Sequence, residues 1–191
     1  MKIVTTFLAA ITIATLGSAR PDNTVFHADT ARDATIAYNG FSDANGNPDA
    51  YTPKGNDDTL ISFKGNRDYR RILLGYNLPS NIKDPSLITK CTLNVPKPVL
   101  PVDQDYTLTV YTASSNWEED TVDAGTKIIS DKIVGSGGFS AGKYSGTISI
   151  TGACQAAAEG KFSMFVDTNQ PLVVFNSQNS GKDTFSVDIT Y

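Results

Sequence analysis

Apolar residues recur at every second position through most of the chain. The clearest run lies at 69–79, where Ile72, Leu74, Tyr76 and Leu78 alternate with Arg71, Leu73, Gly75 and Asn77. Period two over this length marks a strand with one buried face. Leu73 on the other face predicts that this side is partly covered as well. Further strands are predicted over 33–38, 59–64, 87–95, 106–113, 127–134, 144–150, 162–166 and 185–191, and over 172–175 as a continuous, fully buried apolar run. Between them lie clusters of Gly, Asn, Asp and Pro, the residues that turns require for backbone reasons. Residues 65–68 make a four-residue turn, so 59–64 and 69–79 form a hairpin. Pro96, Pro98 and Pro101 end the strand before them, because proline cannot donate to a ladder. Gly135, Gly137 and Gly138 read as a flexible turn. One stretch, 151–159, suits a short helix: Thr151 can cap it, Ala156–Ala158 favours it and Gly160 ends it. Many short strands with one helix imply an all-β, jelly-roll-like β-sandwich.

The first nineteen residues change the picture of where the protein works. Lys2 precedes an apolar run from Ile3 to Leu16, and Gly17-Ser18-Ala19 supplies small residues for cleavage. That is the pattern of a secretory signal peptide, too short for an ordinary membrane span. The reading is therefore a signal at 1–19, a flexible leader at 20–27 and one sandwich domain at 28–191, with no membrane anchor. The expected location is extracellular or cell-wall associated. In such a setting the two cysteines, Cys91 and Cys154, are expected to pair rather than remain buried thiols. No Asn-X-Ser/Thr acceptor for N-glycosylation occurs.

Charge narrows the partners. The 191-residue chain carries a net charge of −4, and loss of Lys2 makes the remainder more acidic. A nucleic-acid partner would need a basic surface, so none is expected; no second apolar run of spanning length follows the signal, so no membrane partner is expected either. A monomer that holds an anionic glycan on a local basic patch remains compatible. Arg70 and Arg71, at the start of the long strand, can neutralise a nearby acid or meet an anionic ligand.

Catalytic chemistry has little to work with. His27 is the single histidine and lies in the leader, away from any serine or cysteine it could activate. Glu118, Glu119 and Asp120 are adjacent on one loop, whereas a glycosidase pair must flank its substrate. The loop at 39–58 is rich in oxygen donors. Asp43, Asn45, Asn47 and Asp49 alternate there, a spacing that could hold calcium, although the same residues are ordinary turn formers and no EF-hand pattern is present.

Two segments carry a family resemblance: Arg71-Ile72-Leu73-Leu74-Gly75-Tyr76-Asn77-Leu78 and Trp117-Glu118-Glu119-Asp120-Thr121-Val122. With the strand order around them, the chain from about residue 28 resembles the DNRLRE-type domain, carbohydrate-binding module family 96. The chain has Asn77 where that family usually has an acid. The resemblance implies a jelly-roll-like sandwich that binds acidic, uronate-type or cell-wall polysaccharide without catalysis. It implies ligand contacts from Lys54, Lys64, Arg67, Arg70 and Arg71, with Tyr51 and Tyr69 as stacking faces. Trp117 either stacks a sugar or packs over the sandwich edge, with packing expected. The competing reading of the whole chain is a secreted structural, cell-surface or effector protein that acts through protein contacts.

Overall fold

The computed structural model describes residues 23–38, 48–66, 68–130, 132–142 and 146–191. The signal-like segment, Asp43, Asn45, Asn47 and Arg67 lie outside these residues. The described chain forms two antiparallel sheets packed as a jelly-roll-like sandwich with one short helix. The smaller sheet contains β1 (Val25–Asp29), β5 (Lys90–Val95), β8 (Gly146–Ser149) and β11 (Ser186–Thr190), in the order β1-β11-β5-β8. The larger contains β2 (Arg32–Ala37), β3 (Thr59–Lys64), β4 (Tyr69–Asn77), β6 (Tyr106–Ala113), β7 (Ile133–Phe139), β9 (Lys161–Thr168) and β10 (Leu172–Asn176). Its order is β10-β3-β4-β9-β6-β7, with β2 also paired to β4. None of the described helices is long and apolar enough to cross a membrane.

β4 is the hub because both of its faces are apolar. Ile72, Leu74 and Tyr76 enter the core between the sheets and meet Leu93, Val187 and Ile189 of the smaller sheet. Tyr76 also stacks on Phe162 at 5.2 Å between ring centres. Leu73, pointing the other way, joins Ala34, Ile36, Phe165, Trp117 and Val122 in a second cluster on the outer face of the larger sheet. A strand buried on both sides needs this continuous apolar reading rather than simple alternation.

Four local expectations change. Residues 25–27 are not a loose leader: they belong to β1, which pairs with β11 from Val25↔Thr190 to Asp29↔Ser186, while Phe26 packs on the main core. Residues 127–130 are loop, and the glycine run lies inside β7 rather than in a turn. These glycines permit close approach between sheet edges. A Cβ on Gly135 would collide with the Ser149 carbonyl, and one on Gly137 would lie 2.7 Å from an Ile148 side-chain carbon. The helix, α1 (Thr151–Gln155), is shorter than expected. The Thr151 hydroxyl accepts a hydrogen bond from the Cys91 N–H at 3.0 Å instead of capping its own helix. Beyond α1 the chain makes a tight turn, with Ala158 and Lys161 paired across Glu159 and Gly160, both at positive φ. The Cys91–Cys154 disulfide ties α1 to β5, as the cysteine pair predicts.

Candidate functional site

The outer face of the larger sheet is where exposed chemistry collects. Strand alternation puts Tyr69 and Arg71 of β4, Phe165 and Asp167 of β9, and Thr109 and Tyr111 of β6 on this face. The register sets Thr109 beside Asp167, and Phe165 between Leu73 and Tyr111. A loop from 114 to 128 crosses the middle of the face and seals it. Trp117 is its plug: it is 2% exposed, and its indole N–H donates to Ser163 Oγ at 3.1 Å. The Arg32 guanidinium lies 4.4 Å above its ring and donates to the Trp117 and Ser115 carbonyls. Gly75 makes room for the indole; a Cβ there would come within 2.9 Å of it. Trp117 therefore takes the packing role and is not available to stack a sugar.

The hairpin end of the face stays open. Here Asp167 is the centre. Its Oδ1 accepts from Arg71 Nε at 2.8 Å and its Oδ2 from the Tyr69 hydroxyl at 2.6 Å. The Arg71 guanidinium sits 4.0 Å from the centre of the Phe165 ring and 5.0 Å from that of Tyr111. Tyr38 stacks against Tyr69 at 5.9 Å. Burial raises the Tyr69 hydroxyl above the ordinary tyrosine range, and its bond to the Asp167 carboxylate raises it further, so it stays a donor. An open groove of about 420 Å³ runs beside this cluster, lined by Lys64, Tyr69, Thr109, Tyr111, Asp167 and Asn169. Lys64 is directly opposite Tyr69 in the hairpin, is exposed, and has no ion-pair partner among the described residues.

The predicted binding residues divide into two groups. Lys64 and Tyr69 line this groove, and Arg71 reaches it only through its bond to Asp167. Lys54 and Arg70 instead converge on Asp49: Lys54 Nζ lies 2.7 Å from its Oδ1 and Arg70 Nη2 lies 3.1 Å from its Oδ2. Arg70 Nε also reaches Asp68 at 3.1 Å. Tyr51 is 64% exposed, on the short turn with Asp49 and apart from the groove. Arg70 and Arg71 both neutralise local acids, the simpler of their two readings. Asp49 already faces two cations, which disfavours a calcium ligand at that position; Asp43, Asn45 and Asn47 lie outside the described residues. Thr109, Tyr111, Asp167 and Asn169 were not picked out by sequence. The alternation that sends Leu108 and Val110 inward is the signal that places Thr109 and Tyr111 outward.

A second cleft of about 580 Å³ opens at the far end of the same face, beyond the Trp117 loop. Arg32, Ser114, Glu118, Glu159 and Lys161 line it with alanines of the helix end. Among the described residues it offers no exposed aromatic face, since its Phe162 is buried.

No family model matches the chain. A stretch of 129 residues is 32% identical to an uncharacterized secreted protein of Arthroderma benhamiae. The match takes in 66% of this chain and 65% of the length of that relative. The extracellular location expected from sequence agrees with the description of this relative as secreted. It also agrees with the Cys91–Cys154 bond, a linkage that persists in oxidising surroundings.

Proposed function

We propose that this secreted β-sandwich is a non-catalytic polysaccharide-binding protein whose ligand lies in the groove at the hairpin end of the larger sheet. The observation that carries the reading is the Lys64 ammonium, unpaired among the described residues, beside the Tyr69 and Tyr111 rings. Aromatic faces suit the apolar side of a sugar ring, and a lysine suits a uronate carboxylate. Asp167 is already charge-compensated by Arg71 and hydrogen-bonded by Tyr69, so it repels an acidic sugar less than a bare carboxylate would. The resemblance to the DNRLRE-type domain supports the same ligand class. Lysine and tyrosine roles carry over at Lys64 and Tyr69; Lys54 and Arg70 serve structure instead. Among the described residues Asp167 is the one acid lining the groove and no histidine lines it, so these residues supply no acid–base pair for hydrolysis.

The test is calorimetric titration of the secreted protein with uronate-rich and neutral polysaccharides. Lys64→Ala and Tyr111→Ala should each weaken uronate binding at least tenfold, and Lys54→Ala should leave it within twofold. Raising salt should weaken binding by the wild type more than by Lys64→Ala. Absence of glycan binding by folded, monodisperse protein, or full binding by Lys64→Ala, would overturn the assignment. It would then shift to a protein acting through protein contacts.

A further inference from the structure

Away from the groove, where β2 begins, the protein buries a carboxylate without a cation. Asp33 is fully buried, and its Oδ1 has no hydrogen-bond partner. Its Oδ2 accepts from the Gln178 N–H at 2.8 Å. Glu119, from the Trp117 loop, reaches the same place: its Oε1 accepts from the Asp33 N–H at 2.9 Å and from Gln178 Nε2 at 2.7 Å. No ion pair involves either carboxylate among the described residues. Arg32, next in sequence, is turned away onto the Trp117 loop carbonyls. A buried carboxylate is ordinarily paired with a cation or bound to a metal, and Asp33 is neither; Glu119 beside it is half-buried.

Further oxygens surround the pair. Gln178 Nε2 lies 3.4 Å from the Ala31 carbonyl, which places that carbonyl and the Gln178 side-chain amide beside Glu119. A half-turn of this amide presents its oxygen in place of its nitrogen. The Gly55 carbonyl is held by Asn179 Nδ2 at 2.7 Å. Gly55 itself touches Glu119 so closely that a Cβ would collide with the Glu119 carbonyl. The start of β2, the Trp117 loop and the Gln178 turn thus bring two carboxylates, a side-chain amide and the Ala31 carbonyl together. Hard cations such as calcium select this kind of set, with oxygen donors only, mixed carboxylate and carbonyl, in irregular geometry.

We propose that Asp33 and Glu119 form a calcium-binding site that clamps the Trp117 loop and the turn at Gln178–Ser180 onto β2. Two negative charges match one divalent ion, and Asp33 Oδ1 is the acceptor that awaits it. Neither Asp33 nor Glu119 is among the calcium candidates Asp43, Asn45, Asn47 and Asp49, and neither lines the glycan groove. Magnesium fits less well, because it demands near-octahedral geometry and keeps its waters.

The experiment uses the full secreted protein stripped of metal with chelating resin at pH 7. Equilibrium dialysis with radioactive calcium should give one ion per chain, with Kd of order 0.1–1 mM, the range of extracellular sites. Thermal unfolding should rise saturably with calcium, by about 2–7 °C at ten times Kd, and respond less to magnesium. Asp33→Asn and Glu119→Gln should each weaken binding at least tenfold, while Asp49→Asn should bind as the wild type does. If Asp33→Asn does not fold, Glu119→Gln and the wild-type stoichiometry decide. Absence of bound calcium up to 10 mM would overturn the proposal. So would binding that survives both clamp variants, or binding that is lost with Asp49. A proton taken up in place of the ion would show as unfolding that responds to pH but not to calcium, and this too would overturn it.

Discussion

Replacement of Arg71 by methionine separates a structural charge from a ligand-binding one. Methionine keeps an unbranched stem that can rest on Phe165 while the guanidinium is lost. Among the described residues Asp167 would then keep the Tyr69 hydroxyl at 2.6 Å. Both members of the Arg71–Asp167 pair are 13% exposed, so water compensates only part of the loss. Breaking a fully buried pair costs about 3–5 kcal/mol, and partial exposure brings Arg71→Met to about 2–3 kcal/mol. For a sandwich of this size that is a drop of about 4–12 °C in melting temperature. Asp167→Asn should cost less, about 1–2 kcal/mol, because the guanidinium keeps its aromatic faces at 4.0 and 5.0 Å. The double variant removes both charges together, so the two costs should overlap by about 1.5–2 kcal/mol. Urea unfolding of the four proteins measures this coupling. A coupling below about 0.5 kcal/mol would place the pair among exposed ion pairs and refute the reasoning. Arg71 would then regain its standing as a ligand contact. The result also governs how binding data are read, since glycan affinity lost in Arg71→Ala could reflect a collapsed platform, whereas Lys64→Ala removes no ion pair seen in the described residues.

Two further outcomes follow from local geometry. Gly75→Ala puts a methyl 2.9 Å from the indole and 3.1 Å from Arg32 Nε, so it should cost about 1–3 kcal/mol and shift the emission of the single tryptophan to the red; unchanged emission would contradict the packing role of Trp117. His27 bridges Asp188 at 2.8 Å and Asp29 at 3.2 Å on the exposed face of β1 and β11. The Asp188 bond raises the His27 pKa, so its contribution is complete below about 6.5 and is lost as pH rises through the raised value; the His27 bond lowers the Asp188 pKa, so that contribution is lost as pH falls below about 4. The stability difference between wild type and His27→Gln should therefore peak between about pH 4 and 6.5 at under 1 kcal/mol, and a difference that grows above pH 8 would contradict this pairing.

The parts of the fold legible in sequence are those set by side-chain period. β4 announces itself because Ile72, Leu74 and Tyr76 alternate, and Leu73 correctly signals a second covered face. The cysteine pair is legible because a secretory signal precedes an even number of cysteines, two in all. The site is less legible because charge partners come from distant strands. Arg71 and Asp167 are 96 positions apart, and Arg70 and Asp49 are 21 apart. Period two says which face a side chain takes, not which strand lies alongside. The glycines of β7 misled for a related reason: a glycine needed for close approach of two sheet edges looks the same in sequence as one needed for a turn. β1 was missed because one apolar residue, Phe26, suffices to dock an edge strand whose hydrogen bonds come from β11.

The Trp117 loop is the element that gives the outer face its shape. Its tryptophan closes the middle of the larger sheet, with Gly75 clearing the space beneath and Arg32 holding the ring from above. Two residues further on, Glu119 inserts beside Asp33. One short loop therefore both divides the face into two open ends and brings Glu119 beside the buried Asp33. That coupling accounts for the segment Trp117-Glu118-Glu119-Asp120-Thr121-Val122 without any sugar contact: Trp117 and Val122 fill the second apolar cluster, and Glu119 reaches inward between them. The groove depends on this loop only for its boundary, because its lining comes from β4, β6 and β9 and from the hairpin and the β9–β10 turn at its rim. Removal of the clamp should therefore loosen the loop before it alters the groove, so changes at Asp33 should appear first in stability and tryptophan emission, and changes at Lys64 in binding.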